Sequence, residues 1–489
     1  MQTLLLSGLL LSNTANSGDS VHYVATDGSD ASGDGSAGNP FATITRALDA
    51  SSGGETILVR PGTYLGRVRL RGEFDTPVTV RSETPYQAVL RRDGGAVITV
   101  FDGRNITLEG FDISHSPGNT GPLVIQVQDL LGDVAGSDGG SDPVVSGITF
   151  RNNIIHDSTN NDLLKINNGA ENILIEGNLF YNQAGSDEHI DINSVQDITV
   201  QDNIFVNTVD TGTSSFVVVK DSNGTNDTVL GANNITVRRN VFANWLGNDG
   251  QGFLRFGEDG TANFEARDLL VENNLFIGNS SDLMRSPLTV MGCRDLVFRN
   301  NTLAGDMPAR SFAGRLFAFG DNPANENLQF FNNIYSDPTG TMGSEALLEA
   351  DLFQAPVDQN ASATSDNNLY YNGGGAIPED TGQFLTFSDD AASTVADPGL
   401  ADHSGFIVPT WNGSVFADGS ASIREAFEGL VNQYGFPAGE SLAVDRADPA
   451  NAPFDDILGR ERGPAPDIGA SETNPIRNLI FRNGFEQTN

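Results

Sequence analysis

Short alternating runs dominate the middle of the chain, and each closes on the same polar residue. ITFRNNIIHD (148–157), ILIEGNLFYN (173–182), ITVQDNIFVN (198–207) and ITVRRNVFAN (235–244) alternate apolar with polar, reach an asparagine, and resume as a second brief apolar run. LLVENNLFIG (269–278), LVFRNNTLAG (296–305) and LQFFNNIYSD (328–337) continue the series, and ITLEGFDI (106–113) begins it. A period of two marks strands, and runs this short do not make helices. The unit recurs every 25 to about 40 residues, with its asparagine at Asn153, Asn178, Asn203, Asn240, Asn274, Asn301 and Asn333. Repeats of that length predict a stacked solenoid. In a stack, an asparagine inside a sharp bend can hydrogen-bond its copies above and below and satisfy backbone groups left over at the turn.

A third strand precedes each unit: LVIQV (123–127), LLKIN (163–167), HIDIN (189–193), FVVVK (216–220), FLRFG (253–257), PLTVM (287–291) and LFAFG (316–320). Three strands per coil, with a variable loop before the third, resemble the right-handed parallel β-helix of pectate lyase-like proteins. That resemblance implies an all-β solenoid over residues 21–400 with an asparagine ladder. Ahead of it, FATITRALDA (41–50) puts Phe41, Ile44, Ala47 and Leu48 on one face of a short helix. A helix there would cap the open end of the solenoid, and the segment looks like the N-terminus of several secreted β-helix lyases. Residues 401–475 are expected to wrap and cap the other end, with 400–455 read as irregular. Within them DILGRERGPAPDIGASE (456–472) resembles a terminal segment of bacterial β-helix proteins of unassigned function. The 476–489 tail resembles the short GFE-containing end of some exported bacterial proteins, a sorting or anchoring signal.

Composition narrows the partners. The chain has 489 residues and a formal net charge of -37, with 64 acidic residues against 27 basic ones. Such a surface excludes nucleic acid as a partner and fits a calcium-rich or saline exterior. Residues 1–20, MQTLLLSGLLLSNTANSGDS, read as a signal peptide without a basic start. No other stretch has the length of apolar sequence that a membrane span requires. A secreted or cell-surface bacterial monomer is therefore expected. Cys293 is alone in the chain, which leaves it a buried thiol without a disulfide.

The chemistry is expected on the third strands. Their outward column reads Gln126, Lys165, Asp191, Val218, Arg255, Thr289, Ala318, and the neighbouring one Gln128, Asn167, Asn193, Lys220, Gly257. Lys165 and Lys220 are the only lysines in the chain, and both fall on this face, on coils either side of Asp191. SDEHIDINS (186–194) adds Asp187 and Glu188, and Asp162 lies one coil earlier. Asp162, Asp187, Glu188 and Asp191 would make a hard-oxygen cluster suited to calcium, which would remove their repulsion and bridge to an acidic sugar. A lysine with its pKa lowered by the cation and Arg255 would then serve as general base in β-elimination. His189, Asn193 and Arg255 are the candidates for substrate contact. Trp245, Tyr181 and Phe253 could stack on sugar rings, although isolated aromatics more often pack.

The D-E-H-I-D spacing with an upstream aspartate resembles the calcium site of polysaccharide lyase family nine. The resemblance implies Asp162, Asp187, Glu188 and Asp191 as ligands and Lys220 as base. Glu188 stands where that family has aspartate, and Lys220 lies one alternation off the Asp191 column. Lys165 is the second candidate, since family six lyases pair a lysine with an arginine on neighbouring coils; LLKINN lacks their acidic strand residues. The sequence thus leaves two readings open: a calcium-dependent lyase acting on an acidic polysaccharide, or a non-catalytic β-helix adhesin or glycan-binding protein.

Overall fold

A computed structural model describes residues 20–129, 145–185, 187–210, 212–221, 229–247, 252–280, 282–342 and 351–478. The signal-like residues 1–19 and most of the tail, 479–489, lie outside them.

Period-two alternation makes strands that bury one side, and coil after coil they pair in parallel, forming three ladders. The groove ladder runs Ile125–Gln128, Leu164–Asn167, Glu188–Asn193, Ser215–Lys220, Gly252–Phe256, Leu288–Met291, Ser311–Phe317 and Asp351–Gln354. A second ladder runs from Ser146–Arg151 to Ala363–Asp366. The third, the back wall, runs from Gly62–Leu65 to Thr394–Val395. The architecture is a right-handed parallel β-helix, the hand that crossover connections between parallel strands take.

The asparagine ladder holds the turn between the second and third ladders. Asn178 Nδ2 donates to Phe150 O (2.9 Å) and to Asn203 Oδ1 (3.0 Å), while its own Oδ1 accepts from Asn153 N (2.8 Å). The pattern repeats at each expected position and at one more, Asn368, where the Asp390 carboxylate closes the series. The residue before each ladder asparagine adopts a left-handed backbone, as in Asn152, Asp202, Arg239 and Asn273. Asparagine and aspartate tolerate that conformation better than other non-glycine residues. Inside the coils, Phe180, Phe205, Phe242 and Phe276 stack with neighbouring centroids 4.9–5.0 Å apart.

At the N-terminal end the short helix Ile44–Asp49 starts at Thr43, whose Oγ1 accepts from Arg46 N (3.1 Å). Ile44, Ala47 and Leu48 are buried from the helix, and Phe41 from the bridge before it. The C-terminal segment departs from its irregular reading. It contains a helix, Ile423–Tyr434, whose apolar face (Ile423, Phe427, Leu430, Val431) covers Ile154, Leu179, Ile204 and Val241 on the back wall. In the GRERGPAPDIGASE stretch, Arg462 is buried and donates to the carbonyls of Asp455, Gly469 and Ala470 and to Asn273 Oδ1. The wrap is thereby tied to the solenoid. Among the described residues, no helix is long and apolar enough to cross a membrane.

Candidate active site

The groove ladder sets its ionisable residues by register alone. Lys165 stands opposite Asp191, Asn167 opposite Asn193, and Asn193 opposite Lys220. Val218 follows Asp191, Arg255 follows Val218 and Thr289 follows Arg255. The next position is Arg315 rather than Ala318, because the strand runs Ser311–Phe317, earlier than LFAFG suggested. An apolar stretch that continues past the end of a strand hides the true register from pattern reading.

Lys165 and Lys220 converge on one carboxylate. Asp191 Oδ2 lies 2.5 Å from Lys165 Nζ and 3.4 Å from Lys220 Nζ. Lys220 also pairs with Glu258, which in turn takes Arg255 Nη1 at 2.5 Å. Sequence reading stopped at Gly257 and missed Glu258; the acidic FGEDG run immediately after the strand was the available signal. Glu258 is held in place by a fully buried neighbour, Glu265, whose carboxylate accepts the backbone N–H groups of Glu258 (2.6 Å), Asp259 (3.0 Å) and Gly260 (2.6 Å).

Beside the lysines sits a cluster of carboxyl groups with no cationic partner among the described residues. Carboxylate oxygens of Asp162, Asp187 and Glu188 lie within 4.8 Å of one another. Asp162 is 1% and Glu188 2% exposed, and no lysine or arginine forms a salt bridge with any of the three among the described residues. Burial, together with the charge of Asp191, pushes the Asp162 carboxyl up to about 7. Burial and the charge of Asp162 hold Glu188 well above its usual range, and burial raises Asp187 too. Asp191, the fourth expected ligand, is not among the three that meet within that distance; its Oδ2 faces the lysines, while its Oδ1 is buried with no hydrogen-bond partner. Three carboxyl groups without a cationic partner, with an orphaned Asp191 oxygen nearby, are a donor set that fits a hard divalent cation, whose charge would favour their ionised forms.

For the lysines, protein groups alone act against the expected lowering. Burial disfavours the charged form of Lys220, but Asp191, Glu258 and Glu188 outweigh it and hold its pKa above the ordinary value. Lys165 is raised in the same way by Asp191 and Asp162. If those carboxylates were neutralised, burial would be left as the dominant influence.

His189 does not face the groove. It is fully buried, stacks on Phe216 at a centroid distance of 4.5 Å and hydrogen-bonds Asn207 (Nε2–Oδ1 3.0 Å). Burial pushes its pKa down to about 3, so the ring is neutral. The alternation that placed it outward fails because loop residues, Trp245 among them, cover the start of these strands and extend the core over them. Asn193 is 1% exposed, with its Oδ1 accepting from Ser194 Oγ (2.9 Å), and so lies beneath the surface a substrate would touch. Trp245, Tyr181 and Phe253 are buried packing residues. Arg255 is 9% exposed at the edge of the patch, and its Nε has no partner.

Residues 26–73 match a family described as protein of unknown function (DUF1565). No curated protein matches the chain by sequence. Among solved structures, XylC in complex with xylose superposes with a TM-score of 0.50 at 13% identity, over 94% of this chain and 99% of that one. The chain is a right-handed parallel β-helix. Pectate lyase Pel9A is also similar, with a TM-score of 0.49 at 14% identity over 93% of this chain and 97% of that one. A mannuronic acid-specific family 6 polysaccharide lyase from the human gut microbiota gives 0.41 at 14% identity, over 72% of this chain and 80% of that one.

Proposed function

We propose that this protein is an exported, calcium-dependent polysaccharide lyase that cleaves a uronic acid-containing polymer by β-elimination. The observation that carries the reading is the meeting of the chain's only two lysines on Asp191, directly beside a buried, unneutralised carboxylate cluster. Asp162, Asp187, Glu188 and the inner oxygen of Asp191 would hold the cation. When bound, calcium would neutralise the sugar carboxylate and so acidify the adjacent C5 proton.

Lys220 is the proposed base. Its ammonium group is held by Asp191 and Glu258 and is 12% exposed, so its position is fixed before substrate arrives. It must first give up a proton to solvent, and as the neutral amine it takes the C5 proton; the C–H electrons form the C4–C5 double bond, and the C4–oxygen bond breaks. Lys165, more exposed at 23% and still protonated on Asp191, can return a proton to the leaving oxygen. Arg255 offers its guanidinium to a sugar carboxylate, and Glu265 keeps Glu258 in position.

Purified protein is to be incubated with polygalacturonate, alginate and glycosaminoglycans, with calcium or with chelator, while ultraviolet absorbance follows the unsaturated product. Cleavage that chelator abolishes is expected, and Lys220→Ala should lower it by about 10²–10⁴-fold. Cleavage indifferent to chelator removes the calcium part. No cleavage of any uronate polymer leaves a non-catalytic glycan-binding solenoid.

A further inference from the structure

The groove continues past Lys220 toward the C-terminal coils, and there its charge changes sign. Arg255 and Arg315 occupy the same outward column two coils apart, joined through Thr289. At the edge of these coils Met284 bridges Ala309, Arg310 N donates to Met284 O (3.3 Å) and Ser311 N to Arg285 O (3.1 Å). Arg285 and Arg310 therefore sit on adjacent coils, one above the other. Their charges reach Arg315, which is brought down to about 10 by burial and then by Arg285, Arg310 and Arg255.

A chain with a net charge of -37 has carboxylates to spare, yet it sets none against two of these arginines. Arg285 and Arg310 are half-buried and form no salt bridge among the described residues. The Nε atoms of Arg255 and Arg285 are buried without a hydrogen-bond partner. Arg315 is pre-positioned, with Nε donating to Gln354 Oε1 (2.6 Å) and its guanidinium 4.5 Å from the Phe317 ring centroid. Several outward arginines elsewhere on the solenoid meet an acid, as Arg299 does Glu272 at 2.8 Å and Arg151 does Glu109 at 3.7 Å. Arg285 and Arg310, so placed with no acid paired to either among the described residues, cost stability that an anionic ligand would recover.

We propose that Arg255, Arg285, Arg310 and Arg315 form an extended anion-binding subsite, so that the groove takes polymers with acidic groups on successive sugars. The proposal rests on the lyase reading only for where the reacting sugar sits. From Lys165 to Arg315 the column spans five coil steps, about 24 Å at the usual strand spacing. That is room for several sugar rings. Guanidinium forks suit carboxylates and sulfate esters alike.

The test is binding, measured by affinity electrophoresis in gels containing polygalacturonate, dextran sulfate or dextran. Wild type is compared with the Arg285→Gln, Arg310→Gln double variant, which keeps polar stems, and with Arg267→Gln on the second ladder; circular dichroism checks that each folds. Polygalacturonate affinity should fall about 10-fold or more in the double variant and become less sensitive to salt, while Arg267→Gln behaves as wild type. Dextran sulfate retained equally well extends the ligand class to sulfates, and weaker retention restricts it to carboxylates. Equal polygalacturonate affinity in the double variant, an equal loss in Arg267→Gln, or retention on neutral dextran overturns the subsite. A double variant whose binding is lost, in a protein that cleaves no polymer, upholds the subsite and ends the lyase reading. Normal cleavage with unchanged KM in the double variant does the reverse.

Discussion

Two buried charge networks lie on different sides of the same solenoid, and they are built to different rules. On the side covered by the C-terminal wrap, buried arginines are matched to acids, although Asp445, Asp467 and Glu472 also gather within 4.8 Å of one another. Arg239 is 2% exposed and grips Asp202 with two bonds (3.0 and 2.8 Å) and Asp455 with a third (2.7 Å). Arg460 pairs with Asp456 and Arg462 with Glu472. On the groove face charges are sorted on either side of a paired centre: carboxyl groups at Asp162, Asp187 and Glu188, the lysines with Asp191 and Glu258 in the middle, guanidiniums beyond. A matched network recovers its desolvation cost internally, whereas a sorted one recovers it only when something outside the chain supplies the opposite charge. The first glues the wrap to the solenoid; the second is poised for ligands.

That contrast can be broken in order of size. Arg239→Ala leaves Asp202 and Asp455 buried without it and should cost about 3–5 kcal/mol, read as a lowered denaturation midpoint. In the groove, calcium should stabilise the fold by about 2.7 kcal/mol at a hundredfold excess over its Kd, read as a higher thermal midpoint. The pH dependence follows from the raised carboxyls. Asp162 moves from an ordinary 3.8 to about 7, so folding favours its protonated form. Its contribution is present below pH 4 and is lost as pH rises toward 7. In chelator, stability should therefore fall across that window, and calcium should restore it more at pH 8 than at pH 5. Glu188→Gln should lose the calcium response without lowering the midpoint in chelator, the opposite sign to Arg239→Ala. A Glu188→Gln variant less stable than its parent in chelator would show that the cluster is matched after all. The smallest effect tests the wrap alone: Ser422, which caps the Ile423–Tyr434 helix through Glu425 N (3.1 Å), should cost about 1 kcal/mol as alanine.

Much of this was legible in the chain. The repeated asparagine and the flanking alternation predicted the stacked coils, because a β-solenoid is nearly one-dimensional and each repeat meets only its neighbours. Asn368 escaped notice since ATSDNNLYYN lacks the apolar run that introduced the others. The helix at 423–434 was also written locally, in Ser422 and Glu425 ahead of apolar positions 423, 427, 430 and 431. It was passed over among loop-like neighbours.

What the sequence by itself determined was the stack: the inward face of most strands, where each coil turns, and that Lys165, Lys220 and Asp191 share one face. Only the tertiary structure decided how those side chains spend their bonds. Asp191 turns one oxygen to the lysines and keeps the other unpartnered, His189 disappears beneath a loop, and Glu258 enters from beyond the strand. Strand periodicity carries a side chain's direction, but hydrogen-bond partners and burial depend on loops of irregular length, for which no period exists.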